Sequence, residues 1–366
     1  MIDIIPFDRA RLDAFGELEK VVREKFEDYH KHLVDEYTRE YLEWCLYLLE
    51  GQRDFSVGAY QDGKLVGFIG ALPRKIRYEK QKFDVNLLSF LTVGKAVKEG
   101  RTSMLMQMFD FYADQFHTTS DAISIYFVDR PRKREEGKNY ACDLIDAYLA
   151  ARVDKLDRIG EVPIRLGRAV FNQENVRQCF NWKDKETGKQ EIQEFNGNVR
   201  DYQARDLDGC LALAEQMATP KTFSRIYAKD ELEWELSQQP AHTIILESGS
   251  HILGFIKYHT KTYLGPEEKG RPSLKCGFID TICLDDNLRP SQREALVRSA
   301  FNRMIEEGYD FASLPDFGYS KGIKQSLTQS GANFNNAFTF YMGVVKAKSC
   351  CEISLTPKSK VYMDVK

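Results

Sequence analysis

The sequence contains no Cys-x-x-Cys pair; its eight cysteines (45, 142, 179, 210, 276, 283, 350 and 351) are scattered through 366 residues. In a chain this long they read as reduced, buried small hydrophobes rather than as a disulfide framework. Histidine is scarce as well, six in all, and His30 and His32 sit two apart in a predicted helix, on different faces. No spacing suggests metal ligands, and no metal is expected. No apolar run approaches the ~18–20 residues that a membrane span needs. The opening MIDIIPFDRARLD lacks the basic flank and apolar core of a secretory signal. A soluble, cytoplasmic protein is the expectation. An excess of positive charge is also missing. Lys and Arg number 52 against 55 Asp and Glu, a net charge of −3, so no nucleic-acid partner is expected.

What is present is one pattern written twice. Hydrophobic residues make up 43% of the chain and charged residues 29%, a globular composition long enough for two domains. Segment 54–79, DFSVGAYQDGKLVGFIGALPRKIRYE, reads as two strands joined at Asp62-Gly63. Segment 241–263, AHTIILESGSHILGFIKYHTKTY, has the same layout with its turn at Ser248-Gly249-Ser250. The cores LVGFI (65–69) and ILGFI (252–256) lie 187 residues apart. Each is followed by a third strand, DVNLLSFLTV (84–93) or KCGFIDTICL (275–284), and then by a helix, 100–116 or 289–308. Val93 to Leu105 and Leu284 to Leu296 both span twelve residues.

Each copy also opens alike, with a strand, an Asp-rich cap and an amphipathic helix in 2–24 and again in 199–217. Further strands are predicted at 121–128 and 309–315. Between the copies, VPIRLGRAVF (162–171) and NWKDKETGKQEIQEF (181–195) read as a hairpin closing copy one. The boundary is placed near Gly197, giving domains 1–197 and 198–366. The order predicts an α/β (α+β) fold: two tandem domains, each a mixed, mostly antiparallel central sheet flanked by helices.

This order, the strand-loop-helix junction and the opening ARDLDGCLALAEQM (204–217) resemble the GCN5-related N-acetyltransferase (GNAT) superfamily over essentially the whole chain, twice. Segment FLTVGKAVKEGRTSML (90–105) looks like the acyl-CoA-binding stretch of the N-myristoyltransferases, which are tandem members. The resemblance implies two GNAT-like domains and acetyl-CoA or another acyl-CoA as co-substrate.

The junction also has a chemistry of its own. A helix N-terminus presents unpaired N–H groups and partial positive charge, which suit a diphosphate when small residues let it approach. The GNAT signature is Arg/Gln-x-x-Gly-x-Gly/Ala. Here Val97 replaces the Arg or Gln, Gly100 fills the glycine slot and Thr102 the small slot, with Lys95, Lys98 and Arg101 adding charge. The resemblance assigns the cofactor to Leu91, Thr92, Val93, Lys98, Glu99, Gly100, Arg101, Thr102 and Ser103. Copy two has Leu288-Arg289-Pro290-Ser291-Gln292-Arg293, with no glycine and a proline at the helix start. Copy one is therefore the expected site. A plain, well-capped turn would explain residues 94–103 if they were taken alone.

Acyl transfer to an amine needs an oxyanion stabiliser and a proton for the leaving thiolate. By position, backbone N–H groups of Phe90, Leu91 or Thr92 would serve the oxyanion. Family members use a tyrosine acid on the last helix. Tyr140 and Tyr148 are the candidates here and Tyr140 is the one carried forward, although the family's tyrosine slots hold Leu156 and Leu327. Tyr126, on a predicted strand, reads as structural. Asp84 and Asp280 are the carboxylates nearest in position, and no base is assigned. The loop 128–140, rich in Arg and Lys, reads either as a solvated surface or as a contact for CoA phosphates. The function expected is N-acyl transfer to a small-molecule or peptide amine. The alternative is a non-catalytic binding module on a degenerate acyltransferase fold; an aminoacyl-tRNA-dependent peptidyltransferase ranks last.

Overall fold

The computed structural model describes every residue except 1, 28–33, 95–96, 98–99, 117–122, 131–140, 153–154, 286, 349, 351 and 364–366. Copy one begins with β1 (Ile2–Pro6), α1 (Ala14–Glu27), β2 (Val34–Glu36) and α2 (Arg39–Cys45). It continues through β3 (Val57–Gln61), β4 (Lys64–Tyr78), β5 (Gln81–Val93), α3 (Arg101–Phe116), β6 (Ile123–Asp129), α4 (Ala141–Ala151) and β7 (Leu156–Val170). A short α5 (Gln173–Cys179) leads out of it. Copy two repeats the series as β8 (Asn198–Asp201), α6 (Leu207–Ala218), β9 (Phe223–Ile226), α7 (Lys229–Ser237), β10 (Ala241–Ser248), β11 (His251–Leu264) and β12 (Ser273–Leu284). It ends with α8 (Pro290–Glu306), β13 (Phe311–Pro315), α9 (Lys321–Gln329), β14 (Asn333–Ala347) and β15 (Val361–Tyr362).

Strand β4 is apolar on both faces because helices cover both. Leu65, Phe68, Leu72 and Ile76 join the core shared with α1, whereas Val66, Ile69 and Ala71 join the core under α3. The fold is the mixed, mostly antiparallel sheet flanked by helices that the repeat implied. The sheet does not stop between the copies. Its order is β1-β3-β4-β5-β6-β14-β7-β13-β12-β11-β10-β8. Strand β14 of copy two lies between β6 and β7 of copy one, and β7 lies between β13 and β14 of copy two, all four joined antiparallel. The exchange continues at the margins, where β2 pairs with β11 and β9 pairs with β4.

This exchange corrects the closing hairpin expected at 181–195. Residues 162–171 do form a strand, but 181–195 form none, and only Glu186 bridges to Val170. Both edges of β7 are already taken by β13 and β14, so no ladder is left for a hairpin partner. The polar segment instead lies against copy two. Asn302 accepts from the Gln190 N–H at 2.8 Å and donates to the Gln190 carbonyl at 2.7 Å.

Among the described cysteines, five are buried and all seven are free thiols. His30 and His32 lie outside the described residues. Among the described residues no helix is long and apolar enough to cross a membrane.

Candidate active site

Strand β5 reaches the α3 junction through an irregularity. Ser89 stands opposite Gly70 and Thr92 opposite Phe68, so two residues, Phe90 and Leu91, face the single Ile69. Such a bulge breaks the local ladder and re-aims the backbone. Phe90 takes a φ of 53°, unusual for a bulky residue, and its ring is held edge-on by Tyr37 at 5.3 Å. Beyond the bulge, Thr92 and Val93 are buried, while Gly100, Thr102 and Ser103 are exposed at the start of α3. Gly100 has a φ of 73° and nothing within 4 Å of where a Cβ would stand, so its outer side is open. Its carbonyl accepts from the Met104 N–H at 2.8 Å, opening the helix. Lys95, Lys98 and Glu99 lie outside the described residues. In copy two the Arg293 guanidinium occupies the corresponding helix start and donates to the Leu288 carbonyl.

Ser89, Phe90 and Leu91 also form one wall of a cavity of about 140 Å³. The rest is apolar, with Phe109 and Phe116 from α3, Ile145 and Leu149 from α4, and Val128 from β6. The hydroxyls of Tyr112, Ser124, Tyr126 and Tyr148 and the Lys346 ammonium interrupt it. Tyr112 and Ser124 bond each other at 2.7 Å, with Asn86 donating to the Tyr112 oxygen at 3.3 Å.

The candidate acids fall differently. Tyr140 lies outside the described residues. Tyr148 lines the cavity, but its hydroxyl donates to the Phe109 carbonyl at 3.2 Å and burial raises its pKa. Asp84 is exposed and pairs with Lys75 at 2.9 Å, at the opposite end of β5 from the bulge. Within the charged loop, Arg130 is tied to Asp146 at 2.9 Å and Glu161 at 2.6 Å, so it braces α4 against β7; residues 131–140 are not described.

Asp280 sits in a buried charge cluster that single-sequence reasoning missed. It is the extra residue of a bulge in copy two, since Lys257 stands opposite Thr281 and Tyr258 opposite Ile279. Its carboxylate lies 3.2 Å from Lys257 Nζ and 3.3 Å from His259 Nδ1. Lys257 reaches Glu235 at 2.5 Å, and Arg225 reaches Glu235 at 2.6 Å and Glu231 at 2.9 Å. Arg74, from copy one, lies 3.5 Å from Glu231. Three cations thus meet three carboxylates, all buried. Burial pushes the Asp280 pKa up, but Lys257 and His259 outweigh it and the net shift is downward. Burial drives His259 down to about 4, so the imidazole is neutral at pH 7. Its ring packs on Tyr41 at 5.5 Å and Trp44 at 5.2 Å, and Tyr41 lies 6.4 Å from Phe90. One aromatic layer from α2 therefore separates the two bulges. The available signal was the alternation of Lys257 and His259 inside an apolar strand, with Glu231 and Glu235 four apart on a helix.

A mixed, mostly antiparallel sheet flanked by helices is the architecture of the GNAT-like α/β fold. A GCN5-related N-acetyltransferase from Anabaena variabilis matches with a TM-score of 0.52 and 9% identity, over 93% of this chain and 72% of that one. Structures of an N-myristoyltransferase match more fully. A structure of Saccharomyces cerevisiae N-myristoyltransferase with bound myristoyl-CoA gives a TM-score of 0.72 at 14% identity, covering 100% of this chain and 89% of that one. Another, with myristoyl-CoA and inhibitors, gives 0.70 at 14% identity, over 98% and 83%. These identities establish a shared fold. A family model described as the N-terminal domain of myristoyl-CoA:protein N-myristoyltransferase matches residues 7–108, which include the bulge and Gly100. No curated protein matches.

Proposed function

We propose that this chain is an acyl-CoA-dependent N-acyltransferase whose donor is held by copy one, with a long-chain acyl group preferred to acetyl. The observation that carries the proposal is the position of the Phe90–Leu91 bulge. It lies on the strand that leads to Gly100 and is also part of the cavity wall. A single ligand could then set its diphosphate at the start of α3, its thioester at the bulge and its chain in the cavity. The apolar lining favours a long chain, at roughly 0.8 kcal/mol for each buried methylene. The N-myristoyltransferase likeness supports the same donor class.

Acyl-CoA would supply an activated thioester. The chain's part is to hold the carbonyl against the backbone of the bulge, where the Phe90 N–H can face the developing oxyanion in a water-poor site. Gly100 leaves the phosphate side open, and α3 contributes its N-terminal partial charge. A small-molecule or peptide amine would approach from the α2 side, between the copies, a usual place for ligands.

Thermal unfolding with CoA, acetyl-CoA and a long-chain acyl-CoA tests this. The long-chain donor is expected to stabilise most, by about 2.7 kcal/mol at a hundredfold excess over Kd. Gly100→Glu should abolish the shift by placing a carboxylate against the diphosphate. No shift with any of the three ligands would overturn the proposal. Binding without transfer to any amine would instead identify a non-catalytic module.

A further inference from the structure

Among the described residues of the cavity wall, the Tyr126 hydroxyl is a buried polar group with nothing to bond. Tyr126 is 3% exposed, lines the cavity, and its hydroxyl has no hydrogen-bond partner among the described residues. The neighbouring hydroxyls do not share this state, because Tyr112, Ser124 and Asn86 satisfy one another. The charges that act on Tyr126 are also engaged. Arg130 and Arg158 each bind both Asp146 and Glu161. Burial pushes the phenol up to about 12, so it keeps its proton and can donate.

The position of this hydroxyl is set by the sheet. Tyr126 pairs with Gly343 of β14, and its ring fills the space beside that residue. A Cβ on Gly343 would stand 2.1 Å from the Tyr126 Cζ and 2.5 Å from its oxygen. The exchanged strand thus seats in a mostly apolar wall a phenol that has no hydrogen-bond partner among the described residues. Burying an unpaired hydroxyl is costly, and phenylalanine would fill the same space without that cost.

We infer that the donor's acyl chain carries an oxygen function, a hydroxyl in the simplest case, and that Tyr126 is the residue that recognises it. This rests on the acyl-donor reading above. As donor and acceptor at once, a phenol can pair with a chain hydroxyl in either sense. The substrate class is therefore a hydroxyacyl thioester rather than a plain saturated one.

Calorimetric titration of the full chain with a saturated long-chain acyl-CoA, and with isomers bearing one hydroxyl at successive carbons, tests the inference. At least one isomer is expected to bind about tenfold more tightly than the saturated chain. Tyr126→Phe, which keeps the ring beside Gly343, should erase that advantage, so that hydroxylated and saturated chains bind the variant alike. The free variant should unfold at the same temperature as the wild type or higher, since it loses only an unpaired group. The inference is overturned if no isomer binds more tightly, if the advantage survives in Tyr126→Phe, or if the free variant is destabilised, which would mean the hydroxyl is already partnered. If even the saturated chain fails to bind, the acyl-donor reading fails with it, so the two failures are distinguishable.

Discussion

At the scale of single residues, His259 has the clearest consequence for stability. Its imidazole titrates near 6.5 when unfolded and at about 4 when folded, because burial disfavours the cation. Between those values the unfolded chain binds more protons than the folded one. The stabilisation is therefore complete above about pH 6.5 and is lost as the pH falls towards 4, by on the order of 3 kcal/mol. Urea unfolding at pH 7 and pH 4.5 should show the wild type losing much more stability than His259→Gln, and equal losses would sink this account. Lys257 answers to a related constraint, since it balances Asp280 and Glu235. Lys257→Met leaves two buried carboxylates facing each other across the gap. The expected cost is about 3–5 kcal/mol, read as a lower urea midpoint at pH 7. A cost below about 1 kcal/mol would mean that water already reaches the cluster.

At the scale of elements, the contact between β6 and β14 is the most exacting. Gly343→Ala would drive a methyl into the Tyr126 ring and force it off its rotamer, an overpacking cost of about 1–3 kcal/mol. The same substitution made in a Tyr126→Leu background should cost less, and a double-mutant cycle of denaturation midpoints measures the difference. The junction after β5 illustrates how much an element can show before folding is known. Gly100, Thr102 and Ser103 could be placed at the mouth of a helix from turn and cap signals alone, and they do open α3. The bulge beside them could not be read in the same way. FLTV looks like any apolar strand end, and the extra residue appears only when β5 is set against β4. The segment 181–195 failed for the complementary reason. Its local pattern permits a strand, but β7 has no free edge to receive one.

At the scale of the molecule, the exchange of β7 and β14 ties the two copies together. We propose 1–197 and 198–366 as the two repeat units; neither can complete its sheet alone. Without β14, the first would expose the facing edges of β6 and β7, and unpaired edges invite association. Residues 1–197 produced alone should be poorly folded or aggregated, whereas co-production with 198–366 should yield a stable complex on size exclusion. A monomeric, cooperatively folding 1–197 would contradict this account. The charge cluster also belongs to this scale, since its members come from β4, β9, α7, β11 and β12 of both copies.

The sequence by itself determined the mixed α/β order of its main strands and helices, the hairpin turns and the helix start at Gly100. These are local, written in periodicity of two or 3.6 residues and in the few residue types that turns and caps accept. Only the tertiary structure decided which strands lie side by side, where the ladder bulges, which charges are buried together and that the Tyr126 hydroxyl in the cavity wall meets no partner among the described residues. Each of these depends on residues far apart in the chain. A buried group's energy is set by the partners it meets in three dimensions, and local pattern does not encode them.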